Sequence, residues 1–124
     1  MKWGMYLENI YNAIKDFFNA AKGSMTNWWE KLTKSPKINR HHIVAKAASR
    51  AYEAQEICKE LKFNYKVDSR NLVDLKARFH NKLHTTRYYK AVNACVKRNK
   101  NNYNGLIRTL FTMKTILRIM NVFS

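Results

Sequence analysis

The placement of its histidines limits what this chain can fold into more than any other feature. His41 and His42 are adjacent, and His80 and His84 are four steps apart. Asn71 lies between the two groups, 29 steps after His42 and nine before His80, and the chain has no other histidine. Residues four apart on a helix lie one turn up on the same face, so His80 and His84 can point two imidazoles at one ion. Neighbours on a strand point to opposite faces, but in a twisted or bulged strand His41 and His42 can still border one cleft. Imidazole is largely neutral near pH 7 and keeps a free nitrogen, which makes it a common metal ligand. Its ordinary pKa of about 6.5 also suits a general base. Either pair alone is a weak signal, because such histidines are commonly surface or part-buried polar residues. Together they describe a site in which three imidazoles hold a divalent cation and a fourth takes a proton from water. The fold must then set a β element carrying one pair against a helix carrying the other.

Hydrophobic spacing supplies the remaining elements. Tyr6, Ile10, Ala13, Ile14, Phe17, Phe18 and Ala21 recur at helical spacing, predicting a helix over Met5 to Ala21. Gly23-Ser24 ends it, Asn27 is placed to cap a short helical stretch through Trp28, Trp29 and Leu32, and Ser35-Pro36 is a break. Ile38 to Ala45 reads as a first short β element. A helix over Ala47 to Leu61 follows, with Ala47, Ala51, Ala54, Cys58 and Leu61 on one stripe. Phe63 to Val67 reads as a short strand or a loop, and Asn71 to Leu75 as the second β element. One long helix is expected from about Lys76 to Lys97, with Phe79, Leu83, Tyr88, Ala91, Val92 and Cys95 on its inner face. The run 97–102 is a polar, basic loop, either a phosphate contact or a solvated connector. A final helix over Leu106 to Val122 places Ile107, Leu110, Phe111, Lys114, Leu117 and Met120 near one face. The expected organisation is an N-terminal helical segment, 1–37, packing on or leading into a core over 38–124, as one compact domain.

Charge narrows the partners. Lys and Arg total 24 against 8 Asp and Glu, a formal net charge of +16. Such a surplus favours polyanions through phosphate neutralisation and counterion release. It also favours an acidic protein partner. A basic amphipathic segment can bind a membrane surface, but no run reaches the roughly 18 apolar residues of a membrane span, so no stable membrane insertion is expected. The first residues lack the apolar core and cleavage site of a signal peptide. Cys58 and Cys95 have no metal-type spacing and read as small buried apolar residues.

Four segments together resemble the AHH branch of the HNH nuclease superfamily. They are Arg40-His41-His42-Ile43-Val44-Ala45-Lys46, Asn71-Leu72-Val73, Phe79-His80-Asn81-Lys82-Leu83-His84-Thr85 and Tyr88-Tyr89-Lys90-Ala91-Val92-Asn93. The similarity spans about residues 38–97. It implies an α+β, mostly helical fold: a ββα-metal (His-Me finger) core with a helical insert and flanking N- and C-terminal helices. It implies that His42 is the general base, His41, His80 and His84 the metal ligands, and Asn71 the central Asn that orients the base and tethers the loop or approaches the metal. The branch carries Ala or Gly where this chain has Arg40, which turns that position into a candidate phosphate contact. The long step from His42 to Asn71 is typical of the branch.

The resemblance implies a metal-dependent endonuclease cutting DNA phosphodiesters, with one divalent ion (Mg, Zn, Ni or Mn). It further implies a toxin domain exported as the C-terminal part of a larger bacterial protein of the contact-dependent inhibition type. Such a domain acts in the target-cell cytoplasm and is neutralised by an acidic immunity protein. Arg40, Lys46, Arg78, Lys82 and Arg87 are the candidate phosphate clamps. Sequence preference is expected to be weak, because backbone contacts carry no sequence information. Two alternatives stay open: a ribonuclease on the same scaffold, and a non-catalytic, zinc-stabilised nucleic-acid-binding module. A membrane-active toxin using its two end helices would leave the histidine pattern a coincidence.

Overall fold

The computed structural model describes residues 3–26 and 37–124. The Asn27 cap, the Trp28–Leu32 stretch and the Ser35-Pro36 break lie outside the described residues. Helix α1 (Trp3–Lys22) leads to strand β1 (Ile38–His42), helix α2 (Tyr52–Glu60), strand β2 (Leu72–Lys76), and helices α3 (Ala77–Leu83), α4 (Thr86–Lys97) and α5 (Tyr103–Val122). β1 and β2 pair antiparallel, with His41 opposite Val73 and His42 opposite Leu72. Helices therefore dominate around one small hairpin, whose two strands are separated by an insert carrying α2.

Strand alternation explains the hairpin. His41 is buried, while Arg40 and His42 point to the other side and keep solvent access. On β2, Val73 and Leu75 are buried and Asp74 is exposed, so one face of the hairpin closes the core. α5 packs against that strand and buries Leu106, Leu110, Met113, Leu117 and Met120 in the core. α1 lies along α4, with the Phe17 and Tyr88 rings 5.6 Å apart and Cys95 Sγ donating to the Ala13 carbonyl at 3.3 Å. Fully burying a side chain such as Phe17 contributes about 2–3 kcal/mol. Cys58 and Cys95 are buried, and burial pushes both thiols up to about 12. They are the small apolar residues their sequence context predicts.

Several expected boundaries move. β1 stops at His42 rather than Ala45, because Ile43 to Ala45 turn inward and bury. The helix expected over Ala47 to Leu61 begins as a 3-10 turn at Ser49–Ala51 and becomes α-helical only at Tyr52. Phe63 to Val67 forms turns, with Phe63 and Tyr65 buried. The expected helix from Lys76 to Lys97 is two helices. Thr85 is extended and its hydroxyl accepts the Tyr88 amide, capping a fresh start, so His84 lies just past the end of α3. On α5, Phe111 is exposed and Met113 takes a core position instead. The 97–102 run is a tied turn: Asn99 is buried and donates to Cys95 O and Thr109 Oγ1, while Asn102 caps α5. A Cβ on Gly105 would collide with Asn99 Oδ1, so glycine is needed there.

Candidate metal centre

Three imidazoles meet where β1 crosses the α3–α4 junction. His41 Nδ1 lies 3.1 Å from His80 Nδ1, and His80 Nε2 lies 3.2 Å from His84 Nε2. One ring nitrogen from each lies within 4.8 Å of the others. His84 reaches the group from the break after α3, not from a second turn of one helix as the spacing alone predicts.

Two hydroxyls on α4 fix the outer rings. His41 Nε2 is 2.8 Å from Tyr88 Oη, and His84 Nδ1 is 2.6 Å from Tyr89 Oη. If each hydroxyl accepts an imidazole N–H, His41 Nδ1 and His84 Nε2 are left with lone pairs toward His80. That is the arrangement by which outer partners set the tautomer of a metal-binding histidine. His80 has a nitrogen near each neighbour but can give only one to a shared ion. Burial holds His41 well below its ordinary pKa, and His80, His84 and His42 act in the same direction. Burial also lowers His80 and His84, so all three rings favour the neutral, ligating form. Three neutral nitrogens that leave further positions open fit a divalent cation in the manner of catalytic rather than structural sites.

His42 stands beside this group. It lines a cleft of about 270 Å3 together with Arg40, Lys46, His80, His84 and Tyr89. Its Nε2 is 2.9 Å from the Lys66 carbonyl oxygen. A carbonyl can only accept, so Nε2 carries the proton and Nδ1 is the basic nitrogen of the neutral ring.

Asn71 is fully buried and all its side-chain bonds go to backbone. Oδ1 accepts from Val44 N at 2.8 Å, and Nδ2 donates to Val44 O at 3.0 Å and Tyr65 O at 2.7 Å. Of the two roles implied for it, the geometry fits the tether. It binds the segment after His42 to the loop whose Lys66 carbonyl holds His42. It is a positioning residue, with no bond to the imidazole group.

The five basic candidates separate. Arg40 and Lys46 line the cleft, although Arg40 also pairs with Asp74 at 3.4 Å. Arg78 donates to the Ser124 backbone oxygen at 3.2 Å and does not line the cleft. Lys82 and Arg87 do not line it either, and Arg87 approaches Gly23 at the end of α1. Helix geometry explains this: α3 turns His80 toward the cluster, and positions 78 and 82, two residues away on either side, point elsewhere. Arg50 was not singled out from the sequence, yet its guanidinium lies 4.7 Å over the Tyr89 ring and bonds Thr86. Periodicity places Tyr88 on the inner face of its helix, but nothing in the residue order signals that the Tyr88 and Tyr89 hydroxyls meet His41 and His84.

Among the described residues, no helix is long and apolar enough to cross a membrane. No curated protein and no solved structure matches the chain. A family model does match: a nuclease family of the HNH/ENDO VII superfamily with conserved AHH, over residues 23–115. That stretch covers about three quarters of the sequence and contains His41, His42, Asn71, His80 and His84. With a histidine cluster suited to a metal and a hairpin set against the α3–α4 junction, the chain belongs to the AHH nuclease family of the HNH/ENDO VII superfamily.

Proposed function

We propose that this nuclease is a metal-dependent endonuclease that hydrolyses DNA phosphodiester bonds with little sequence preference. The observation that carries the reading is His42, a ring tethered through one nitrogen beside three ligating imidazoles in an open cleft. His42 Nδ1 takes a proton from water as the water oxygen bonds to phosphorus. The P–O3′ bond breaks, and the 3′ oxygen leaves with a proton from solvent. Lys46 and Arg40 sit at the cleft rim, where they attract the phosphate backbone. His41, His80 and His84 would hold a divalent ion (Mg, Mn, Zn or Ni), which when bound would supply neutralising charge to the phosphate. The net charge of +16 supports a nucleic-acid substrate and equally an acidic protein inhibitor.

In this reading the domain is a toxin, carried at the C-terminal end of a larger exported bacterial protein of the contact-dependent inhibition type. It acts in the target-cell cytoplasm and is neutralised in the producer by an acidic immunity protein. RNA is the second substrate to test. Supercoiled DNA and total RNA incubated with wild type and His42→Ala, across Mg, Mn, Ni and Zn and with chelator, decide the matter. Nicking of DNA that needs both metal and His42 is expected. Degradation of RNA alone moves the substrate assignment, and binding without cleavage by wild type leaves only a zinc-stabilised binding module.

A further inference from the structure

A second cavity, of about 280 Å3, lies next to the histidine cleft. Arg40 of β1, Asp74 of β2 and Lys114 and Arg118 of α5 line it, over a floor that includes Leu72 and Val73. Arg40 also lines the histidine cleft, so the two cavities share a wall. Positions 114 and 118 are four apart on α5 and present two cations on one face. Lys114 Nζ donates to the Ser69 carbonyl at 2.9 Å, which holds its charge over the cavity. The carboxylate present, Asp74, pairs with Arg40, and three cations face that one anion. The position of Arg40 is also where this chain departs from the Ala of the family's AHH signature.

We infer that Arg40, Lys114 and Arg118 form a phosphate-binding track that carries the nucleic-acid strand away from the cleaved bond, over the β1–β2 hairpin onto α5. The inference rests on the nuclease reading for its ligand, but binding tests it separately from cleavage. Two phosphates along a strand are several ångströms apart, so a substrate long enough to leave the histidine cleft passes Arg40 first and the α5 pair next. Asp74 moderates the charge beside the hairpin, so the strand is drawn toward the α5 end of the cavity.

The test uses the full chain with His42→Ala as the cleavage-silent background and fluorescein-labelled single-stranded oligonucleotides of six and 16 residues. Anisotropy titrations are run over a salt series. Arg118→Glu is expected to weaken the 16-mer about fivefold, to lower its salt slope by about one, and to leave the six-mer nearly unchanged. Arg108→Glu, also exposed on α5 but outside the cavity, carries the same charge change and controls for overall electrostatics. Equal losses for Arg118→Glu and Arg108→Glu, or equal losses for both oligonucleotides, overturn the track. A Lys114→Gln variant that melts like wild type and repeats the length-dependent loss supports it. Failure of the nuclease reading would show instead as unchanged DNA after incubation of wild type with metal, whatever the anisotropy reports.

Discussion

His41 and His84 are members of one histidine cluster, but the protein holds them in opposite ways. His41 projects from within a strand, is 1% exposed, and meets the hydroxyl of Tyr88, which is itself buried. His84 sits just past the end of a short helix, is exposed, and meets the hydroxyl of Tyr89, a buried residue that nonetheless lines the cleft. Adjacent tyrosines of α4 serve both, one facing the core and the other the cleft. The inner ligand is therefore part of the fold, whereas the outer one is fastened onto it. Stability and ion affinity should be coupled at His41 and separable at His84.

The strongest way to break that contrast is to truncate each ring. His41→Ala leaves a cavity and removes the partner of a buried hydroxyl, and should cost about 2–4 kcal/mol in denaturant unfolding. His84→Ala should stay within about 0.5 kcal/mol of wild type in chelator. Zinc should raise the melting temperature of wild type, and both variants should lose that rise, because either change leaves two of the three imidazoles. A His84→Ala protein with the full zinc-induced rise would remove His84 from the ligand set.

A milder pair of changes sharpens the contrast. Tyr88→Phe strands a buried imidazole N–H and should cost about 1–3 kcal/mol. Tyr89→Phe should cost less, since the imidazole it leaves without a partner, His84, is exposed and can turn to water. Each should weaken zinc binding by roughly tenfold or more, read by competition with a chromogenic chelator. Equal stability losses for the two would mean the inner and outer positions are not distinct.

The smallest effect is in pH. Burial lowers both rings in the folded, metal-free protein, so the unfolded chain protonates first as pH falls. Stability is complete above an unfolded histidine pKa of about 6.5, declines as pH drops through that value, and stops declining below the folded-state pKa. His41→Gln should flatten this decline in thermal melts with chelator more than His84→Gln does. Equal flattening would contradict the burial difference.

Much of this was legible in the residues. The histidine grouping located the cluster suited to a metal because ligands must converge whatever the chain does between them, and helical periodicity located the core faces of α3 and α4 and most of that of α1, where Phe18 is exposed instead. What stayed hidden depends on backbone breaks and on contacts remote in sequence. Nothing local distinguishes Thr85 inside a helix from Thr85 capping a new one, so His84 was read one helix too far in. The Lys66 carbonyl that orients His42 is a backbone group and has no signature in residue identity. Of the basic residues near the histidines, Arg40 and Lys46 line the cleft and Arg78, Lys82 and Arg87 do not, since sequence neighbours on a helix point in different directions, while Arg50 and Arg118 come into place through tertiary packing.

The Asn71 amide has a consequence for how such a protein can diversify. It stitches Val44 to Tyr65, closing the chain at the two mouths of the excursion between the strands. The stretch between those mouths packs its inner side on the core through Ala51, Ala54, Ile57 and Cys58, so a change of length is absorbed in its exposed turns without moving His42. The exposed side of that stretch, at Tyr52, Glu53, Lys59 and Glu60, can therefore vary in sequence while the closed loop keeps His42 beside the cleft.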